Sequence, residues 1–299
     1  MGINNSRLLK SKKSKSIQVS SHDLLNKEKE STYYLSNDIN DVDRLHIHHF
    51  FKKYIFQNNF SSPIEDDLIR GCKVLDVGCG PGTWLLELSN TYTSSQFIGL
   101  DMTPIYPQEI KPSNLKFVEG NIFNGLPFPD NEFDFVHMES MILILTRDQW
   151  NFVFSELMRV TKSGGFIEVV EPYIIPDEAG PIFKKLYGGI YDSSLKRNVD
   201  MNLSCNLDSI FESHSNITKI HRDERKTIIG PNGDKIGIVY QNIFVSFCTT
   251  EMAIDSLSNE LGISKENFKY MAENDIIEEF KQTKPEINYI RFWTQKNLI

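Results

Sequence analysis

The chain lacks an apolar run long enough to cross a bilayer. The longest, Met141–Leu145, falls far short of the roughly 20 residues a spanning helix needs. No apolar core segment lies near the start, so no secretory signal is expected. Cysteine is scarce. Cys72, Cys79, Cys205 and Cys248 show no metal-type spacing, and their usage points to a reducing, cytoplasmic setting. Basic charge is short too: 32 Lys and Arg against 40 Asp and Glu leave a net charge of −8, which argues against a nucleic-acid partner. No internal repeat is evident. The 299 residues, 40% hydrophobic and 24% charged, suffice for one large domain or two small ones.

What is present is concentrated in Val74-Leu75-Asp76-Val77-Gly78-Cys79-Gly80-Pro81-Gly82-Thr83. A short apolar strand runs into a glycine-rich turn, and Trp84 to Leu88 continues with helical spacing. Side chains at the glycines would hold a ligand off the backbone and forbid turns with φ > 0. The helix start offers unpaired N–H groups and a positive dipole end. A dinucleotide turn would carry a third glycine where Thr83 stands, and a phosphate loop would need Gly-Lys-Ser/Thr, which is absent.

The landmarks downstream keep a strand–helix rhythm. Gln96–Asp101 reads as a second strand ending in an acid about 20 positions beyond Gly78, where a carboxylate can accept ribose hydroxyls; a helix cap is the plain alternative. Leu115–Val118 is a third strand, followed by Gly120-Asn121-Ile122. Pro129-Asp130-Asn131 makes a turn before a fourth strand, Phe133–His137. Trp150–Val160 is an amphipathic helix closed by Gly164-Gly165, and Phe166–Glu171 is a fifth strand. Upstream, residues 45–56 recur near helical spacing, and Ile64–Arg70 is a short helix. His46, His48 and His49 do not form a metal constellation. Beyond Pro172, residues 176–194 are punctuated by Gly and Pro and rich in tyrosine. Residues 217–229 suggest a sixth strand, Ile236–Phe247 alternates enough for the last strand, and residues 251–261 and 265–280 read as helices.

Taken as a set, the glycine turn, the acid after strand two, Gly-Asn after strand three, Leu126-Pro127-Phe128-Pro129-Asp130 and the Gly-Gly before strand five resemble the class I S-adenosylmethionine-dependent methyltransferases. Within that superfamily the chain resembles a fungal secondary-metabolism and regulator-type group. The residues that carry this are Tyr33 to Asp38, Asp43-Arg44-Leu45, Gly80-Pro81-Gly82-Thr83-Trp84 and Pro231-Asn232-Gly233-Asp234-Lys235-Ile236-Gly237. Ser163 stands where such enzymes commonly have proline.

The resemblance implies an α/β, Rossmann-like fold: a seven-stranded, mostly parallel sheet with the last strand antiparallel, helices on both faces and an N-terminal helical cover. It divides the chain into a disordered basic tail (1–28), the cover (29–62) and the methyltransferase domain (63–299). It implies S-adenosylmethionine as cofactor. Asp76, Gly78, Cys79 and Gly80 would line its methionine and ribose part, Asp101 would hold the ribose, and Met102 would pack on adenine beside Asn121 and Ile122. His137 and Glu139 would stand at the strand-four end, and Tyr34 and Arg44 in the cover would close over the carboxylate. No catalytic base is assigned; His137, Glu139 and Glu171 are the candidates. The acceptor is expected to be a small molecule. A cofactor-binding regulator without turnover is the alternative, with a nicotinamide oxidoreductase a distant third. Separately, Met1-Gly2-Ile3-Asn4-Asn5-Ser6 fits an N-myristoylation pattern ahead of Arg7, Lys10, Lys12, Lys13 and Lys15, so peripheral membrane contact through that tail is an expectation.

Overall fold

The computed structural model describes residues 41–298. The tail, its myristoylation pattern, Tyr33 to Asp38 and hence Tyr34 lie outside them. The elements, in order, are α1 (Val42–Phe56), α2 (Glu65–Arg70), β1 (Lys73–Val77), α3 (Thr83–Thr91), β2 (Gln96–Asp101), β3 (Leu115–Glu119), β4 (Phe133–Glu139), α4 (Arg147–Val160) and β5 (Thr161–Ile175). Then come α5 (Pro181–Lys196), α6 (Asp208–Glu212), β6 (His221–Ile228), α7 (Asp234–Cys248), α8 (Glu251–Leu261), α9 (Lys265–Tyr270), α10 (Ile276–Phe280) and β7 (Glu286–Gln295). Among the described residues no helix is long and apolar enough to cross a membrane.

The seven strands form one sheet in the order β3-β2-β1-β4-β5-β7-β6. The first five pair in parallel, and β7 runs antiparallel to both β5 and β6. Val74, Leu75 and Val77 are fully buried, as a central parallel strand covered on both faces requires. α4 starts on a capping box, in which the Thr146 hydroxyl accepts from the Gln149 N–H and the Gln149 side chain accepts from the Thr146 N–H. Its Trp150, Val153, Phe154 and Leu157 then face the sheet.

Several expectations are corrected. Ile236–Phe247 is not a strand: it belongs to α7, whose Gly237, Tyr240, Gln241, Phe244 and Cys248 share one buried face at helical spacing. The last strand is β7. It sits between β5 and β6 and is buried on both sides, so Tyr289 to Phe292 show no alternation to read. The stretch around residues 176–194 is largely helix. Pro181 occupies the first turn of α5, and Gly189 admits Leu261 of α8, whose Cδ2 would lie 3.1 Å from an added Cβ. The pair Gly164-Gly165 does not end an element; it lies inside β5, which starts at Thr161. The helix expected over 265–280 is continuous in direction but contains a π turn at Met271–Asp275.

Two glycines fix how α3 meets the sheet. A Cβ on Gly82 would stand 2.4 Å from the Phe117 ring of β3, and one on Gly99 of β2 would stand 2.6 Å from Leu85 of α3. Gly82, not position 83, is therefore the glycine that lets helix and sheet touch. Its φ of 74° is left-handed as well.

α1 is held across the C-terminal edge of this sheet. Phe51 and Phe56 enter the apolar cluster of Ile229, Tyr240, Phe244 and Tyr289. Its polar side reaches Glu87 of α3: His49 Nε2 lies 2.9 Å from Oε2, Asn59 Nδ2 donates to Oε1 at 3.0 Å, and Lys53 also donates to Oε1. Burial pushes the Glu87 carboxyl up, but these three donors outweigh it and hold it at about 2. The segment leaving α1 ends on Glu168 of β5, which is fully buried and accepts the Ser61 and Ser62 N–H groups and the Ser62 hydroxyl. Arg291 of β7 lies beside it, Nε 3.5 Å from Oε1, with its guanidinium 4.0 Å over the Phe56 ring.

Gly82→Ala is expected to cost roughly 3 kcal/mol, combining left-handed backbone strain with overpacking against Phe117; a denaturant melt of the variant measures it. Because the Glu87 carboxyl is depressed in the fold, its contribution is complete above the ordinary carboxylate range and fades as pH falls towards 2. Glu87→Gln should thus lower the melting temperature at pH 7 and flatten the acid limb of a stability profile. The mutant and wild-type curves should converge near pH 2.

Candidate active site

The C-terminal ends of β1, β2, β3 and β4 meet beneath α1, and the loop from Gly78 to Gly82 lies at their centre. The main-chain donors of this loop are used inside the protein. The Gly78 and Cys79 N–H groups both donate to the Leu100 carbonyl, at 2.7 and 3.1 Å, and the Gly82 N–H donates to the Cys79 carbonyl at 2.9 Å. The Gly80 N–H donates to Asp101 Oδ2 at 2.8 Å. The N–H groups of Gly78, Cys79, Gly80 and Gly82 are thus turned into the protein. Among the described residues, the Gly78 carbonyl receives no hydrogen bond and the Gly80 carbonyl only a long contact from Cys79 Sγ at 3.9 Å. The carbonyl oxygens presented within 78–82 suit a cationic amine. Glycine is favoured at 78 by a left-handed φ of 73°, and an added Cβ would also crowd Met141 Sδ at 3.2 Å, in the segment after β4.

Asp101 closes β2 and is placed beside the loop, as the spacing predicts. Oδ1 accepts from the Thr103 N–H at 2.9 Å, and Oδ2 from Gly80. Each oxygen retains a lone pair, so the locked carboxylate can still accept the two hydroxyls of a vicinal diol. Burial raises its pKa, and the two amides oppose that rise. Met102, next in the chain, is 44% exposed, an apolar side chain open to a flat ligand. Asn121 also serves the local backbone. Its side-chain oxygen caps the turn Ile122–Asn124 by accepting from the Phe123 N–H at 2.9 Å. Ile122 is buried against Leu100 and Leu126.

Under the loop and the cover lies a buried polar cluster. Asp76 of β1 and His137 of β4 are register partners, with Oδ1 and Nδ1 2.8 Å apart. The His137 ring stacks on Trp84 at 4.1 Å. Both residues are closed off from solvent, which places them beneath the loop as supports. Trp84 is pinned from the other side, its Nε1–H donating to the Asn59 carbonyl at 2.9 Å.

Glu139, at the end of β4, pairs with Lys52 of α1 at 2.6 Å. Burial raises its pKa, but the Lys52 ammonium and His137 prevail and leave it at about 2. Glu171 of β5 accepts the Met141 and Ile142 N–H groups at 2.7 and 3.1 Å, and burial pushes its carboxyl up to about 8. Between Glu139 and Met141, Ser140 adopts a left-handed φ of 61° and its buried hydroxyl has no partner among the described residues. His48 bonds the Tyr289 hydroxyl, and burial together with Lys52 and Arg44 keeps it well below its ordinary pKa. Arg44 is buried on Asp41, Nη2 to Oδ2 2.6 Å, and stands over the Phe247 ring.

The structure therefore brings Asp76, Gly78, Cys79, Gly80, Asp101, Met102, His137 and Glu139 together at one edge. Asn121 and Ile122 lie at its β3 side and Arg44 in its cover. Sequence reasoning missed Lys52, Trp84, Met141 and the Ser140 turn. Lys52 carried a signal: a charged residue on the buried stripe of α1, four before Phe56, must have a buried counter-charge. Ser140 carried none, because its backbone conformation is imposed by the surrounding chain.

Comparison with known proteins agrees with this geometry. Residues 74–165 match the family model of a methyltransferase domain. The chain is 31% identical over 163 residues to an N-methyltransferase of Clonostachys rogersoniana, a match covering 53% of this chain and 56% of that one. It is 25% identical over 173 residues to a secondary metabolism regulator of Cochliobolus heterostrophus, covering 54% and 55%. The chain thus spans little more than half the length of these relatives. Among solved structures, the YcgJ protein of Bacillus subtilis is similar in fold, with a TM-score of 0.50 and 17% identity over 84% of this chain and 99% of that one. The stretch that matches a methyltransferase domain, residues 74–165, supplies β1 to β4 and the start of β5 of the seven-stranded sheet.

Proposed function

We propose that this chain binds S-adenosylmethionine and transfers its methyl group to a small-molecule acceptor. The observation that carries the reading is the pairing of an amide-poor, carbonyl-presenting loop with the locked Asp101 carboxylate. The Gly78 and Gly80 carbonyls suit the methionyl ammonium, Asp101 the two ribose hydroxyls, and Met102 one face of the adenine. Asn121 keeps its amide N–H groups and one lone pair for the adenine edge, while Ile122 backs that wall from the core. The cofactor supplies the electrophilic methyl at its sulfonium centre.

The protein's own part is orientation and exclusion of water. α1 roofs the loop, with Leu45 Cδ1 4.0 Å from where a Gly80 Cβ would stand. Lys52 fastens that roof to the β4 end through Glu139. None of the three candidate bases is free for proton transfer. His137 is sealed between Asp76 and Trp84, Glu139 is neutralised by Lys52, and Glu171 is occupied by two amides. Acceptor deprotonation is thereby left to the acceptor's own acidity or to solvent. The acidic net charge and the few cysteines support a small-molecule partner and a cytoplasmic setting.

Calorimetry with S-adenosylmethionine and with NAD tests the cofactor; indifference to the first at millimolar concentration sinks the proposal. Transfer of labelled methyl to a small-molecule extract tests turnover, and binding without transfer would mark a non-catalytic relative. Asp101→Ala should weaken cofactor binding by about 10-fold or more, the scale of losing one or two hydrogen bonds to a charged acceptor. Arg44→Ala should weaken it less than Asp101→Ala, because Asp41 already satisfies the Arg44 guanidinium. Both values come from the same titration.

A further inference from the structure

We infer that the methyl acceptor is an amine, held through its N–H by the hydroxyl of Ser140. The inference rests on the methyltransferase reading above and names the substrate class of that site. Val77 of β1 and Met138 of β4 are register partners, so Ser140, just past the end of β4, is level with the glycine bend. Its neighbours in the chain touch both walls of the site. Glu139 pairs with Lys52 in the roof, and Met141 Sδ lies 3.2 Å from where a Gly78 Cβ would stand. Ser140 thus stands between loop and roof at the carboxyl end of a parallel strand, where such sheets bind ligands.

Two observations single it out. Its φ of 61° is a conformation that costs a serine energy, and its surroundings hold it there. Its own N–H donates to the Val170 carbonyl at 2.9 Å, and Glu171 accepts the next two N–H groups. Second, its side-chain oxygen is buried and has no hydrogen-bond partner among the described residues. Strain and an unpaired buried hydroxyl are both unfavourable, and a bound acceptor that completes the pairing explains why both are kept.

The surroundings select nitrogen over oxygen. An alcohol or phenol attacks well only once its proton has gone, and then as an anion. Among the described residues, His48, His137, Glu139 and Glu171 are all engaged, so none is free to take that proton. Lys52 and Arg44 are paired with Glu139 and Asp41, so neither is left to hold an anionic oxygen. A neutral amine needs neither. Ser140 Oγ accepts one N–H and leaves the nitrogen lone pair unengaged. That pair forms the new N–C bond as the methyl–sulfonium bond breaks, whose electrons stay on sulfur. The product ammonium then sheds its proton to solvent. The body of the acceptor would face phenols. Leu143, three residues after Ser140, packs on the cluster that takes Tyr173 and on the one that takes Tyr187. Burial, then the nearby Tyr173 and Tyr191, push the Tyr187 phenol up to about 12, so this wall stays uncharged and aromatic.

The test incubates the full chain with a small-molecule extract and S-adenosylmethionine whose methyl carbon is isotope-labelled. The carbon shift of the transferred methyl, read by NMR, separates N-methyl from O-, S- and C-methyl products. The signal should be N-methyl. Ser140→Ala and Ser140→Gly, the second suited to the left-handed φ, should each lower kcat/KM for that acceptor about 10-fold or more, chiefly through KM. Calorimetry should show their affinity for S-adenosylmethionine unchanged, and the thermal melt of Ser140→Ala should be no lower than that of wild type, because the hydroxyl it removes is unpaired. An O-, S- or C-methyl product overturns the inference and leaves the methyltransferase reading standing. No labelled product from protein that binds the cofactor overturns both. A lower melt for Ser140→Ala, or an unchanged kcat/KM in both variants, overturns the role given to Ser140.

Discussion

Three carboxylates hold the roof of the site, and the rest of the architecture depends on them. Glu87 stands on the helix that follows the glycine loop, Glu139 ends β4, and Glu168 lies in the middle of β5. Each draws donors from α1 or from the segment leaving it: His49, Lys53 and Asn59 onto the first, Lys52 onto the second, Ser61 and Ser62 onto the third. A buried charge without its partner is costly, so these contacts specify one seating of the helix and not a range of them. Apolar packing of Phe51 and Phe56 supplies the attraction; the carboxylates supply the register.

The same logic runs beneath the loop. Asp76 and His137 are side by side because β1 and β4 are parallel neighbours in register, and Trp84 lies on the imidazole because α3 starts directly after the loop. Gly82 and Gly99 let that helix come close enough for the stack to form. With its N–H groups tied to Leu100 and Asp101, the loop is rigid before any ligand arrives. The Gly78 and Gly80 carbonyls are left on the open side of a bend whose own amides are already paired. The methyltransferase domain match over residues 74–165 covers this part of the chain. The C-terminal helices and α1 lie outside that match.

Legibility follows periodicity. β1 to β4 and α4 are readable because each has one dominant pattern, and strand length alone places Asp101 beside the loop. α7 reads as a strand because Ile236, Ile238 and Tyr240 alternate locally, although Gly237, Tyr240, Gln241 and Phe244 form the buried face. β7 escapes a sequence reading because a strand enclosed on both sides carries no alternation, and because its partner β6 is built of exposed charged residues. The punctuation that makes residues 176–194 look like loop is a close helix–helix contact at Gly189.

The strand–turn–helix unit is written locally: its glycines, the acid after β2 and the strand–helix order each have a local cause. Packing alone settles which way the loop's hydrogen-bonding groups face, which carboxylates are neutralised, and that Lys52 meets Glu139. Those outcomes depend on pairs far apart in the chain, and burial and counter-charge are properties of the packed whole rather than of any one segment.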